Sequence, residues 1–494
     1  MKRPHRSHVR DSRAKPDSST QPWRARIAAA CVGVALLAAC GARQRERERP
    51  SAVEATSARV DVFLRCVDPA ARAISFDIAG AAVRDELGQV RTLELARQHV
   101  SSRELASRSR IAGAIVPPTG YAALELTLGA AWLERADGRV PLELERDERG
   151  LTVLEIPASF RVDARQASSL FVDWRAGPSL VGGASFAPQF SVSLETPQTA
   201  LGLLYVADAA TSSVLAIDRA SGQVVGTYKT GSEPRALALA RDRRRLWAAN
   251  AGDGSVLAID TRQGTIETTL PIAFGAGTCD LVFADPERWL AAANRELDSV
   301  SLIALGSGSS VQVSVGRDPL RLASAPGLGR VYSANFGDDT ISVIDVNARG
   351  VVATIATESR PSALDVDRDE HQLFVGHATS PNLLVYDAQS LAQQRAVFVG
   401  ADVTDVLADR RTARVYVARA RPNEMVVVDT RIGAVVRRFP LSGRIESMAQ
   451  SREGSRVYGA SAERGAVLVI DVVLSKEEPA IHCGSRPSDV VLAE

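Results

Sequence analysis

The chain has 494 residues, with 59 Lys and Arg against 58 Asp and Glu and a net charge of +1. That balance excludes a strongly basic nucleic-acid binder and a polyacidic tail. A hydrophobic content of 45% excludes dominant disorder, and six His with five Cys argue against a multi-histidine metal enzyme or a disulfide-dense scaffold.

Residues 1–26 are polar and basic, and an apolar run follows from Ile27 to Ala39. Its 13 residues fall short of the ~20 that a membrane-spanning helix needs. They read instead as the apolar region of a secretory signal. The run ends Leu37-Ala38-Ala39-Cys40, with small residues before the cysteine. This resembles the bacterial lipoprotein lipobox. The resemblance implies cleavage before Cys40, acylation of Cys40 and membrane attachment through that lipid anchor. Gly41, rather than Asp, follows the cysteine, which by the sorting pattern of lipoproteins implies the outer membrane, facing the periplasm or the cell surface. Residues 1–39 then form the signal peptide and 40–59 a solvated tether, rich in alternating Arg and Glu. Without residues 1–39, 51 basic residues face 56 acidic ones, so the exported body is mildly acidic at −5.

Residues 60–197 read as a strand-rich domain. Alternating runs occur at Val60–Cys66, Ala73–Ile78, Gly120–Leu128, Leu151–Ile156, Ser168–Trp174 and Phe190–Leu194. Residues 94–112 read as helical or irregular. Many short strands with Gly and Pro turns predict a β-sandwich. The opening Val-Asp-Val-Phe-Leu, the turn Pro118-Thr119-Gly120-Tyr121 and the strand Phe171-Val172-Asp173-Trp174 resemble a bacterial lipoprotein domain family of unknown function. That resemblance implies a fold and a surface location, and no activity.

From residue 198 onward the chain repeats. Leu204-Tyr205-Val206-Ala207 recurs, with variations, at Trp247, Ala291, Tyr332, Phe374, Tyr416 and Tyr458. Thirteen residues after each of these positions come Asp218, Asp260, Ala304, Asp345, Asp387, Asp429 and Asp471, at successive gaps of 42, 44, 41, 42, 42 and 42. Seven units of four short alternating runs predict a propeller of four-stranded blades. The units resemble the YVTN-repeat (YncE-like, surface-layer-type) seven-bladed β-propellers over 201–494, within a propeller domain read as 198–494. Blade 4 matches best, through Val331-Tyr332-Ser333-Ala334-Asn335, Thr340–Asp345 and Arg360-Pro361-Ser362-Ala363-Leu364. Blade 3 departs, with Ala291 and Ala304 at landmark positions and only Gly and Ser over 306–310, and is expected to be irregular. The expected fold is therefore all-β: an N-terminal β-sandwich followed by a seven-bladed propeller. An inner strand, led by Pro234, Pro319 or Pro361 and elsewhere by Thr278, Val403 or Ile445, precedes every unit except the one at Leu204, while Pro487–Leu492 follows the last. Pro487–Leu492 is thus expected to serve as the inner strand of blade 1 and close the ring.

The landmark Asp residues fit Asx-type turns. Asn250, Asn294 and Asn335 suit turns as well. The Arg-rich segments 241–245 and 410–414 fall in turns on one face of the ring, where a solvated turn and a polyanion-binding face are the two readings. Early in each inner strand come Ala236, Asp280, Arg321, Ala363, Asp405, Ser447 and Asp489, each followed by a large apolar residue. The apolar ring is expected between blades. At the channel mouth, Asp280, Arg321, Asp405 and Asp489 are candidate ligand-binding residues, the plainer reading being a water-filled mouth. Cys66, Cys279 and Cys483 have no evident pairing. No Cys-x-x-Cys-His, nucleophile–base pair or metal-ligand spacing occurs, so no catalytic residue, cofactor or metal is assigned, and nucleic acid is not an expected partner. The leading expectation is a non-catalytic binding scaffold for an envelope protein or polysaccharide. The alternative is a hydrolase or oxidoreductase acting at the channel mouth, since propeller lactonases and quinoprotein dehydrogenases share the architecture.

Overall fold

The structure, a computed structural model, describes residues 58–493 apart from short segments at 69–72, 106–107, 149, 165–166, 195–201, 274 and 286–287. The segments expected to be a signal peptide and a lipobox with Cys40, and nearly all of the expected tether, lie outside the described residues.

The N-terminal unit contains β1 (Ala58–Cys66), β2 (Ala73–Asp85), β3 (Val90–Leu95), β4 (His99–Ser101), β5 (Ser109–Val116), β6 (Gly120–Arg135), β7 (Gly138–Leu142), β8 (Thr152–Arg161) and β9 (Ala167–Arg175). Short strands β10 (Leu180–Val181) and β11 (Ser185–Phe186) and then β12 (Gln189–Ser193) complete it. Ten of these strands form one curled sheet in the order β12-β9-β1-β5-β3-β2-β6-β7, with β4 on β2 and β8 on β6. Strand β3 is the joint, bonding β2 over Val90–Leu93 and β5 over Glu94–Leu95. The two halves so joined enclose one core, which holds Val60, Val62 and Trp174 from one half and Ile74, Phe76 and Leu126 from the other. The strands expected from alternation are present. The irregular or helical reading of 94–112 is overturned, because β4 and β5 run through it. Strand β5 escapes a period-two reading because it lies over a buried ion cluster. Asp61 accepts from Arg59 Nε and Arg110 Nε, both at 2.7 Å. A Cβ at Gly113 would stand 2.3 Å from Asp61 Oδ1, so the strand must carry a glycine where an apolar residue would signal it.

The propeller has seven four-stranded blades. In blade 4, Pro319–Ala325 is innermost, followed outward by Arg330–Asn335, Thr340–Asp345 and Gly350–Ala356. In blade 1 the order outward is Pro487–Ala493, Leu203–Asp208, Ser213–Asp218 and Gln223–Lys229. The C-terminal strand therefore closes the ring as the Pro-led register predicts, pairing Leu204 with Leu492 and Ala207 with Asp489. Asp208 secures its start, accepting from Ser485 N at 2.9 Å and Arg486 N at 3.1 Å.

The aromatic landmark of every blade but the third, which has Ala291, packs on the next blade. Tyr332 of blade 4 joins Leu364, Leu373 and Val375 of blade 5 and donates to Ala388 O at 2.6 Å. Tyr416 joins Met448 and Val457 of blade 7 in the same way. The apolar ring lies between blades as expected, with Leu237, Leu281, Leu322 and their counterparts buried. All six landmark Asp cap their turns, for example Asp260 accepting from Arg262 N at 2.7 Å and Asp471 from Leu474 N at 2.7 Å. Asn250, Asn294 and Asn335 clamp the hairpin that follows them, as in Asn335 Nδ2 to Thr340 Oγ1 and Ser342 Oγ, each at 2.9 Å.

Blade 3 corrects an expectation: it has four regular strands. The Gly/Ser stretch supplies the turn that Asp makes elsewhere. Gly308 N donates to Ala304 O at 2.8 Å with Gly308 at φ +70°, as Gly264 N does to Asp260 O in blade 2. The backbone turn thus forms without the carboxylate, because glycine takes the left-handed position.

The N-terminal unit is packed against blade 1. Phe63 and Phe171 enter the cluster of Leu204, Val206, Val224 and Tyr458 that seals the joint between blades 1 and 7. Arg108 stacks 4.2 Å over Phe171 while its backbone N donates to Gln223 Oε1 at 2.8 Å. Ser169 Oγ donates to Thr227 Oγ1 at 2.7 Å. Cys66, Cys279 and Cys483 are free thiols.

Candidate functional site

The channel residues are set by the inner strands. Side chains alternate along a strand, so placing the large apolar residue between blades turns its predecessor toward the axis. Asp280, Arg321, Asp405 and Asp489 come from blades 3, 4, 6 and 1 and face this common channel. The structure brings them together electrostatically: Arg321 lies in the combined field of Asp280, Asp405 and Asp489.

Each aspartate also ties its blade to the next. Asp280 accepts from Leu281 N at 2.9 Å and from Leu322 N of blade 4 at 2.7 Å. Asp489 accepts from Val490 N at 2.8 Å, from Leu237 N of blade 2 at 2.6 Å, and from Ser447 Oγ of blade 7. Asp405 accepts from Met448 N of blade 7 at 2.7 Å. A fourth member, Asp365 of blade 5, bonds Val366 N and Ala408 N of blade 6, each at 2.8 Å. Sequence reasoning missed Asp365 because it stands two residues beyond the ring position, at Ala363. The period-two face of the strand was the signal that points to it.

Arg321 spans the channel. It starts on blade 4 and donates through Nη2 to Glu446 O, which precedes the inner strand of blade 7. The channel walls enclose these groups even where a sliver of surface remains open, and that enclosure dominates their acidity. Burial pushes Asp405 up to about 7 and Asp365 and Asp489 up to about 6, against the pull of backbone N–H donors and, for Asp405 and Asp489, of Arg321. Asp280 is raised too, mainly by burial. The carboxylate field holds Arg321 charged despite the burial that opposes its charge. Cys279 sits beside the ring with Sγ 3.2 Å from Pro319 O, and burial raises its thiol to about 12.

Above this level the channel widens into a mouth of about 1000 Å³. Arg321 forms part of its lining, whereas Asp280, Asp405 and Asp489 do not. The rim alternates in sign and pairs locally, through Arg421 with Asp402 at 2.6 Å, Arg444 with Glu446 at 3.2 Å and Arg235 with Glu233 at 3.7 Å. Arg295 pairs with Asp318. Such a rim offers both donors and acceptors to a polar ligand. Among the described residues no group of three or more His, Cys, Asp or Glu is arranged to hold a metal ion.

A YncE-like β-propeller family model matches residues 180–493, more than half of the chain. The chain belongs to the YncE-like β-propeller family. Two solved structures are similar to this family member. Hydrazine synthase of Kuenenia stuttgartiensis is 19% identical with a TM-score of 0.46, covering 52% of this chain and 88% of that one. A functionally unknown protein from Desulfotomaculum acetoxidans is 12% identical with a TM-score of 0.54, covering 59% of this chain and 98% of that one. The second likeness shows the fold alone. No curated protein matches this YncE-like chain.

Proposed function

We propose that this protein is a non-catalytic envelope lipoprotein, anchored in the outer membrane through Cys40, whose propeller is a rigid scaffold for an envelope protein or polysaccharide. The observation that carries the reading is the division of labour in the channel. Its carboxylates are engaged by backbone N–H groups of neighbouring blades, while the rim above presents alternating, solvent-facing charges. A carboxylate already accepting hydrogen bonds from two blades suits holding the ring more than proton transfer to a substrate. In this proposal Asp280, Asp405 and Asp489 hold the ring and keep Arg321 charged, while the solvent-facing charges of the rim make the contact with the partner.

The test uses the full chain as bait for envelope extract, beside variants with charge reversed at the rim (Arg421→Glu with Arg444→Glu) or remotely (Arg241→Glu with Arg244→Glu). The reading expects a discrete partner that the rim variant loses and the remote variant keeps. Equal capture by all three would overturn it. Anchoring is tested separately: palmitate label should appear on the wild type and vanish in Cys40→Ala.

A further inference from the structure

The opposite face of the ring, built by the turns after each inner strand, holds a second recess. It lies between blades 5 and 6 and encloses about 590 Å³. Six arginines line it: Arg368, Arg395, Arg410, Arg411, Arg414 and Arg431. The sequence showed only the cluster at 410–414. The fold adds Arg368 from the adjacent turn of blade 5, Arg395 from its outer strand and Arg431 from the outer turn of blade 6.

Three aspartates share the recess, and two of them are engaged by their own turns. Asp409 accepts from Arg411 N at 2.8 Å, Thr412 Oγ1 at 2.7 Å and Tyr416 Oη at 2.8 Å. Burial opposes its charge, yet these donors win and hold its pKa below the usual carboxylate range. Asp367 accepts from His371 N at 2.7 Å and Gln372 N at 3.0 Å. Asp369 is exposed.

The arginines divide likewise. Arg395 donates to Thr430 O and Arg431 O, and Arg411 to Glu453 O, so these two brace the walls. Arg414 helps hold Tyr416. Arg368 and Arg410 are exposed and, among the described residues, make no side-chain hydrogen bond or ion pair, although Arg410 lies in the field of Asp365. The recess is thus a locally positive hollow on a body whose overall charge is mildly acidic, with two planar forks able to take carboxylates bidentately.

We infer that the recess between blades 5 and 6 is a docking site for an acidic peptide segment, whose spaced carboxylates pair with Arg368 and Arg410. Its mixed lining selects the class of partner. The exposed Asp369 offers acceptors for peptide N–H groups, whereas a nucleic acid would bring a continuous row of phosphates against three carboxylates. The lining aromatic, Phe374, is buried and gives no stacking platform for bases. The volume suits a short segment, since pockets of roughly 300–1,000 Å³ enclose a small ligand. This site is separate from the channel mouth and does not rest on it.

The test is fluorescence anisotropy with the full chain and a labelled octapeptide of alternating Glu and Ser. The controls are a Lys/Ser octapeptide and an eight-nucleotide oligothymidylate. The acidic peptide should bind saturably and more tightly than either control. Arg368→Glu with Arg410→Glu should weaken it at least tenfold, while Arg241→Glu with Arg244→Glu, an equal charge change on blade 2, should change it less than twofold. If the blade 5/6 double variant melts below the wild type, Arg368→Gln with Arg410→Gln is read in its place and should also weaken binding severalfold. No saturable binding, equal loss in both double variants, or tighter binding of the oligonucleotide would overturn the inference. Saturable peptide binding here, with no partner captured from envelope extract that depends on the rim, would overturn the scaffold reading alone.

Discussion

Blades 1 and 4 have nearly the same strands and different problems. Blade 4 is one continuous stretch, and its four strands follow one another through short turns. Blade 1 joins residues 203–229 to residues 487–493 without a covalent link between them. The difference shows in what surrounds each. Blade 4 carries Asn335 at the position where blade 1 carries Asp208, and the carboxylate reaches across to hold the start of the closing strand. The N-terminal unit covers blade 1 and puts Phe63 and Phe171 into its joint with blade 7. Closure by hydrogen bonds and apolar contact is reinforced where the covalent chain is missing.

The comparison is broken most severely by deleting 487–494. That removes the inner strand of blade 1 and the cover over Val206 and Tyr458, and should cost at least about 4 kcal/mol in chemical unfolding. An unchanged midpoint would end the closure account. Phe171→Ala should follow, at about 3–5 kcal/mol, because it opens a cavity at the same joint. Its signature in hydrogen exchange should be faster exchange at both 203–208 and 487–493, with blade 4 unaffected. Asp208→Ala should cost about 1–3 kcal/mol by leaving the N–H groups of Ser485 and Arg486 without their acceptor. Asn335→Ala should loosen only its own hairpin.

The pH dependence comes next. Asp365, Asp405 and Asp489 have pKa values raised from 3.8 to about 6–7 in the folded ring, so the folded state keeps protons that the unfolded chain has released. Their contribution is full below about pH 4 and is lost as the pH rises through about 7. His377 and His482, lowered by burial, act in the opposite sense as the pH falls through 6.5. The wild type minus the triple Asp→Asn variant isolates the carboxylates. That difference in unfolding free energy should favour the wild type progressively more from pH 8 to pH 5. A flat difference would show that burial does not govern these groups. The smallest effect is expected from Ala304→Asp, which restores the missing cap in blade 3 and should add about 0.5–1.5 kcal/mol.

Much of the propeller was legible because repetition turns weak local signals into strong ones. The 42-residue period, the closing strand and the six Asp turns were all fixed by register. The N-terminal unit has no repeat to lean on. Its β5 follows Gly113 around a buried Arg–Asp–Arg cluster, and its joint strand β3 pairs with two partners, so neither shows clean alternation. The channel ring was legible by position, but the reach of each aspartate to the neighbouring blade was not, since that depends on blade spacing. The recess between blades 5 and 6 gathers residues from 367 to 431, and only folding places Arg368 opposite Arg410.

The central claim is that the channel charges hold the ring while the faces bind. Its most direct test combines thermal melting with partner capture for Asp280→Ala, Asp405→Ala and Asp489→Ala together. The account predicts a clearly lower melting temperature, with capture retained below the melt. An unchanged melting temperature with lost capture would contradict it, and would make the channel carboxylates ligand-binding groups instead.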